Sequence, residues 1–372
     1  MKTRKLEKLG IETSLLGFGC MRFPTTAEGK IDRVRAEKMI DEAIANGVNY
    51  LDTAYVYHDG ESELFMGEIL KKYPRDSYYL ATKLPTFGQM KNEEDKERLF
   101  NEQLNKLQVE YFDFYLIHCV NKKVWEEQVV KFGVLEYLIE MKKQGKIKYL
   151  GFSFHDDYEV FEHVLNAYDW DFCQIQYNYM DTDIQAGDRG YELATSKNIP
   201  VIVMEPIKGG ALANMPDDIA CHFKEYNDAT PSSWALRWVA THENVKVILS
   251  GMSTEEHVRD NLNTFNLDRV ELNEEELKII EKVKKAILAR TKNGCTGCSY
   301  CMPCPFGVNI PKNFTLWNNA SMYNQIEKNK QRYAGLKEQQ AAYCKNCGKC
   351  ETVCPQHIKI REDLKKVVQE LG

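Results

Sequence analysis

Residues 33–57 read Arg33-Val-Arg-Ala-Glu-Lys-Met-Ile-Asp-Glu-Ala-Ile-Ala-Asn46-Gly47-Val48-Asn-Tyr-Leu-Asp52-Thr-Ala-Tyr-Val-Tyr57. Apolar residues in Arg33–Asn46 recur at helical spacing, and Gly47 follows as a C-terminal stop. Val48–Asp52 is then a short β-rich run that ends in a carboxylate. One helix, one glycine and one strand with a polar end make a unit, and the question is how often it repeats.

It repeats along most of the first 270 residues. Strands are expected at Ser14–Gly19, Val48–Asp52, Tyr78–Lys83, Phe112–His118, Lys148–Ser153, Phe172–Gln176, Pro200–Met204 and Lys246–Leu249. Helical patterns lie between them, among them Arg33–Asn46, Glu93–Leu107, Val134–Gln144 (stopped by Gly145) and Thr254–Phe265. Eight apolar runs, each followed by a helix, predict an α/β chain closed as a (β/α)8 TIM barrel, whose strands are buried on both faces. The competitor is an open doubly wound sheet, which the lack of a GxGxxG turn after an early strand disfavours. Asn273 and Glu276 form a capping box. The stripe Leu277, Ile280, Val283 and Ile287 marks a helix expected to pack on the barrel and connect it onward.

Composition limits the classes of function. The chain has 372 residues, enough for a barrel plus a satellite. A net charge of −6 gives no reason to expect nucleic acid or an anionic membrane as partner. The start, MKTRKLEKLG, lacks the apolar segment of a signal peptide, and no apolar run approaches the ~20 residues that span a bilayer. The expected location is the cytoplasm.

Twelve cysteines are unevenly spread. Cys20, Cys119, Cys173 and Cys221 are scattered, and read as buried small hydrophobes. The other eight form two groups: Cys295-Thr-Gly-Cys298-Ser-Tyr-Cys301-Met-Pro-Cys304-Pro305 and Cys344-Lys-Asn-Cys347-Gly-Lys-Cys350-Glu-Thr-Val-Cys354-Pro355. In a reducing compartment such clusters favour metal over disulfides. Three thiolates at CxxCxxC spacing wrap a four-iron cubane, and the trailing Cys-Pro ligates the other cluster. Cys295, Cys298, Cys301 and Cys354 are thus expected to hold one [4Fe-4S] cluster, and Cys344, Cys347, Cys350 and Cys304 the second. Cys304 follows Cys301 after two residues instead of three, which departs from the bacterial ferredoxin run. Paired zinc sites are the weaker alternative. The expected organisation is a barrel over residues 1–272, a connecting helix over 273–290 and a small helical ferredoxin-like module over 291–372. Helix-compatible residues such as Met322–Gln340 fill the stretch between the cysteine groups.

In a barrel, catalytic groups gather at the C-terminal ends of strands. Asp52, Tyr57, Lys83 and His118 occupy such positions. A carboxylate, a phenol, an ammonium and an imidazole there suggest proton donation to a carbonyl oxygen as hydride reaches its carbon. Tyr57 is the expected acid. Lys83 would lower its pKa toward the working range, Asp52 would hold Lys83, and His118 would orient the carbonyl. Cys20, Arg22, Phe23, Tyr55 and His58 lie beside these strand ends as possible pocket residues.

These residues resemble the aldo-keto reductase family, in its bacterial branch with a C-terminal 4Fe-4S ferredoxin-type domain. The resemblance rests on Asp52-Thr-Ala-x-x-Tyr57, Lys83, His118, Gly151-Phe-Ser153, Gln174-Ile-Gln-Tyr-Asn178, Pro206-x-x-Gly209 and the segment ending in Asn261. It implies reversible reduction of aldehydes or ketones with NADP or NAD bound outside any Rossmann fold. Ser153 and Gln174 would hold the nicotinamide carboxamide, Met204 would lie under the ring, and Pro206, Lys208, Gly209 and Gly210 would approach the pyrophosphate. Asn261 would contact the adenine end, with Gly251 and His257 at the positions where NADPH-selective members carry basic residues. Phe154 stands where the family often has Asn, and Met204 where it has an aromatic. Lys208, His257 or Arg259 are the remaining candidates for a 2′-phosphate partner, so the choice of nucleotide stays open.

Hydride transfer moves two electrons, whereas a four-iron cluster passes one. Three readings follow: a carbonyl reductase whose clusters shape the mouth or dock a partner, an oxidoreductase exchanging electrons with an outside electron-transfer protein, and a non-enzymatic redox sensor. The intact tetrad argues against the third, and of the other two the first is the preferred expectation.

Overall fold

A computed structural model describes residues 1–372. Eight parallel strands form a closed barrel: β3 (Leu16–Gly19), β4 (Tyr50–Asp52), β5 (Tyr79–Leu84), β6 (Phe112–Val120), β7 (Ile147–Phe154), β8 (Phe172–Gln176), β9 (Val201–Met204) and β10 (Val245–Ser250). Closure comes from β10, where Ile248 pairs with Leu16 of β3 on one side and Val203 of β9 on the other. An antiparallel hairpin, β1 (Thr3–Leu6) and β2 (Ile11–Ser14), precedes it. Every expected strand is present, and the open sheet is excluded.

The two ends of the barrel differ in chemistry. At the N-terminal end, Leu6 of the hairpin joins Tyr50, Ala81, Phe114 and Phe172 in one buried cluster. Phe114 meets Tyr50 and Phe172 edge-on at ring separations of 4.9 and 5.0 Å, as aromatic quadrupoles prefer. This plug leaves the C-terminal strand ends to polar groups. Gly151 makes room for it: a Cβ there would lie 2.7 Å from the Phe172 ring.

The helices begin and stop where local chemistry directs. Asp32, Asp157 and Thr254 accept backbone N–H bonds from Arg35, Val160 and His257 as N-caps. Gly47 and Gly145 sit at φ +92° and +75° past the helices they end, a region that disfavours a side chain.

By its contacts the chain separates into two compact units, residues 1–209 with 232–273, and residues 210–231 with 274–372. Helix Glu274–Leu288, expected as a connector on the barrel, is grouped with the second unit, where it packs against helix Asp217–Lys224. It buries Ile280, Val283 and Ile287. The rest of that unit is built on helices Ile310–Met322, Ile326–Ala334 and Ile360–Leu371 around Phe314, Trp317, Leu364 and Val367. The helix-compatible stretch Met322–Gln340 is interrupted in two places. Asn324 adopts φ +50°, and the chain leaves helical geometry after Ala334, with Lys337 at +51°.

No helix is long and apolar enough to cross a membrane.

Candidate functional site

The strand ends bring the four expected residues together. Lys83 and Asp52 are fully buried neighbours, with Nζ donating to Asp52 Oδ1 at 2.5 Å, to the Thr53 carbonyl at 2.8 Å and to the Tyr57 hydroxyl at 3.3 Å. The Tyr57 and His118 rings meet edge-on at 6.1 Å. Two local backbone features aim these groups. His58, Asp59 and Gly60 are all left-handed, at φ +52°, +54° and +88°, which turns the chain just after Tyr57 and before helix Glu61–Ile69. Left-handed non-glycine residues tend to cluster at functional sites. At His118 the β6–β7 register slips between Ile117 and Val120, with Cys119 at φ +58°. Bulges of this kind re-aim a side chain.

Electrostatics decide the protonation states. Burial works against charge on Lys83, but Asp52 and Tyr57 outweigh it and hold the ammonium above the ordinary lysine range. Burial dominates at His118, and with Lys83 and His155 nearby it pushes the imidazole well below its usual value. His118 is therefore neutral at physiological pH. Tyr57 departs from expectation. Lys83 does pull its phenol down, but burial outweighs that pull and Asp52 adds to it, so the net direction is up. The phenol is protonated at neutral pH in the protein alone.

Behind the tetrad lies a buried network that the sequence did not single out. Gln103 donates to the Lys83 carbonyl at 3.1 Å and to Glu63 at 2.5 Å, and Thr82 donates to the same Glu63 carboxylate at 2.7 Å. Tyr115 donates to Gln103 at 2.6 Å. Glu63 is 0% exposed, although in sequence it reads as an ordinary acidic residue in a first helical turn. Thr86 likewise fixes His118 by donating to its carbonyl at 2.9 Å.

The nicotinamide candidates can be tested on their free valences. Gln174 Nε2 donates to Met204 Sδ at 3.5 Å, while its buried Oε1 has no partner. Ser153 Oγ accepts from the Cys119 amide at 2.8 Å, which leaves its own proton to donate. An unpaired acceptor and an available donor suit a carboxamide. Phe154 is fully buried against Phe152 and Phe161. Lys208, Gly209 and Gly210 all have positive φ, and no atom lies within 4 Å of a Cβ built on either glycine. Asn261 is buried, donating to Ser250 Oγ at 2.6 Å. Gly251 lies under Arg22, whose Cγ would sit 2.7 Å from a Cβ there.

The three basic candidates for a 2′-phosphate are otherwise engaged. Lys208 is paired with buried Asp181, Arg259 with Glu42 at 3.1 Å, and His257 Nδ1 accepts from the Ser253 amide at 3.3 Å. Glu255 and Glu256 occupy the first turn of helix Glu255–Phe265. The Arg35 hydrogen bond holds the Glu255 carboxyl down at about 2.

Of the possible pocket residues, Cys20 and Phe23 are buried in the core, Cys20 Sγ lying 3.7 Å from Met66 Sδ. Burial pushes the Cys20 thiol far up, so it is no nucleophile. Tyr55 donates to Glu102 at 2.8 Å, and Arg22 is exposed. Cys173 is buried as expected of the scattered cysteines, whereas Cys119 and Cys221 are only partly buried.

The second unit gathers eight of its nine cysteines, all but Cys221, around two cavities. Cys295, Cys298, Cys301 and Cys354 line one, and Cys304, Cys344, Cys347 and Cys350 line the other, which Cys301 also borders. Residues from both sequence groups thus meet at each cavity, in the crossed pairing read from the spacing, Cys304 included. All eight are free thiols. Four soft donors around each cavity fit a four-iron cluster.

Comparison with known proteins finds two family matches along the chain. Residues 15–285 match the Aldo/keto reductase family, and residues 294–359 the 4Fe-4S dicluster domain. The chain is 36% identical over 156 residues to "Probable aldo-keto reductase 1" of Glycine max, a match spanning 40% of this chain and 44% of that protein. It is 24% identical over 306 residues to the "NADH-specific methylglyoxal reductase" of Escherichia coli (strain K12), over 71% of this chain and 91% of the other. The aldo-keto reductase AKR11C1 from Bacillus halodurans, in its holo form, superposes with a TM-score of 0.64 at 27% identity, covering 76% of this chain and 96% of that one.

Proposed function

The chain belongs to the aldo/keto reductase family, and from that premise we propose that it reversibly reduces an aldehyde or ketone with NAD(P)H, using Tyr57 as proton donor and carrying two [4Fe-4S] clusters. The observation that carries this reading is the single buried ammonium, Lys83, shared between Asp52 and the Tyr57 hydroxyl at 2.5 and 3.3 Å. A bound dihydronicotinamide would supply the hydride that reaches the carbonyl carbon.

The chain's own groups then handle the proton. Tyr57 holds it on its hydroxyl and delivers it to the carbonyl oxygen as negative charge grows there. Lys83, kept charged by Asp52, stabilises the phenolate left behind. Neutral His118 can donate or accept a hydrogen bond without adding a second positive charge to the pocket. In the reverse direction the same phenolate takes the alcohol proton. The Gln174 oxygen and the Ser153 hydroxyl supply one acceptor and one donor for the carboxamide.

NADH is the preferred nucleotide in this reading. Glu255 and Glu256 lie in the helix turn beside the positions inferred for the adenine ribose, and two of the candidate cations, Lys208 and Arg259, are already paired. These acids disfavour a 2′-phosphate there, and Arg22, exposed beside Gly251, is the cation left to offset them.

Steady-state assays with NADH and NADPH over a panel of carbonyls, methylglyoxal among them, test the proposal. Tyr57→Phe should lower kcat by about 10²–10⁴-fold with iron content and circular dichroism unchanged, and kcat/KM should favour NADH. Full activity in Tyr57→Phe, or no turnover by iron-replete protein with either nucleotide, would overturn it.

A further inference from the structure

Residues 291–372 hold twelve Lys and Arg against six Asp and Glu, a formal charge of +6, which leaves −12 on residues 1–290 of a chain whose total is −6. Two clusters with their thiolates would subtract about four charges and leave the segment positive. That charge is not spread evenly around the cysteines. Lys345 and Lys349 stand on the wall of the cavity lined by Cys304, Cys344, Cys347 and Cys350. Both are exposed, and neither makes an ion pair. Arg361 on the same wall is partly neutralised by Glu351 at 2.8 Å.

The same wall carries apolar groups facing solvent. Tyr300 is 70% exposed, Phe306 43% and Val353 47%. Large apolar side chains clustered at one opening with unpaired cations at its edge have the composition of a protein interface, an apolar centre with a charged rim. The cavity they surround would place a one-electron centre just behind that surface.

We propose that the face formed by Tyr300, Phe306, Val353, Lys345 and Lys349 docks an acidic one-electron carrier protein, of the ferredoxin type. The exchange would move one electron one way, from the reduced carrier to the [4Fe-4S] cluster that Cys304, Cys344, Cys347 and Cys350 would hold, oxidising the carrier by one and reducing the cluster by one, with no proton or bond change. Charge complementarity selects the partner, since a carrier of like sign would be repelled and a neutral one would gain no steering. The inference rests on the cluster reading, so iron and sulfide content must be measured independently of docking.

The test uses the full-length holoprotein and a purified acidic [2Fe-2S] ferredoxin as probe. Binding is followed by calorimetry, and electron transfer by stopped-flow bleaching of cluster absorbance, at low and high salt. Affinity and on-rate should fall steeply as salt rises. The double charge reversal Lys345→Glu/Lys349→Glu should weaken binding by at least about tenfold, with iron content retained, whereas Lys312→Glu on helix Ile310–Met322 should change it little. If charge reversal costs iron, Lys345→Gln/Lys349→Gln and Tyr300→Ala replace it, and each should still weaken binding. Salt-independent binding, equal weakening by Lys312→Glu, or preference for a basic carrier would overturn the proposal. So would self-association at low salt, with the acidic residues 1–290 of a second copy covering the face. Iron-free protein would instead overturn the cluster reading itself.

Discussion

The two groups of candidate site residues in this molecule are held in place by different means. In the barrel, Lys83, Asp52, Glu63 and Gln103 lie at 0 to 2% exposure, and hydrogen bonds from the protein alone tie them together. In the second unit, the cysteine-bearing stretch before helix Ile310–Met322 has almost no regular structure. Cys298 and Cys347 are exposed, and the other six thiols are only partly buried. The comparison teaches where preorganisation comes from. A site made of charges must be built by packing and hydrogen bonds, because its members give up their water only at a cost. A site made of thiolates can leave its loops to be fixed by the metal, since ligand binding is then part of the folding free energy.

Removing iron should break the comparison most visibly. Stripping the clusters with a chelator and reductant is expected to abolish amide exchange protection across residues 294–309 and 343–357, leaving the strands β3 to β10 protected. Hydrogen exchange with mass detection reads this directly, and equal loss in both regions would contradict it. Lys83→Met is the matching change in the barrel. It leaves Asp52 buried without its partner and should lower stability by about 3–5 kcal/mol, measured by denaturant unfolding, and it should also depress kcat in iron-replete protein.

The smallest effect sharpens the electrostatic side. His118 is kept neutral when folded but binds a proton when unfolded near its usual pKa. Its contribution to stability is present above about pH 6.5 and is lost as pH falls below that value, by up to about 1.4 kcal/mol per pH unit. His118→Gln should flatten the stability profile between pH 7 and 5. The same protonation states predict a reduction rate with no ionisation near pH 6.5 and a decline only above the ordinary phenol range, as Tyr57 loses its proton.

Much of the fold was legible because each barrel strand is a short, mostly apolar run, and the pattern between runs is helical. The strand ends shifted by one or two residues, which is where propensity yields to barrel register. Asp52, Lys83 and His118 stand out because they lie at or near the ends of such runs, and the two cysteine groups because of their spacing. What could not be read is burial of polar groups away from strand ends. Glu63 and Gln103 sit on helices, where nothing in the sequence separates an acid facing solvent from one beneath a lysine. The net direction of the Tyr57 pKa was misjudged for the same reason, since sequence shows the neighbouring charge but not the desolvation that outweighs it. The break at Asn324 within a helix-compatible stretch is not legible in sequence because asparagine tolerates both helical and left-handed backbone.

Cys301 borders both cysteine-lined cavities, three residues before Cys304, which faces only the second. A single short run of chain is thereby common property of two assembly sites, and filling either one fixes the backbone that the other needs. Iron loading should for that reason be all-or-none: partial reconstitution yields a mixture of empty and fully loaded molecules, with few that carry a lone centre.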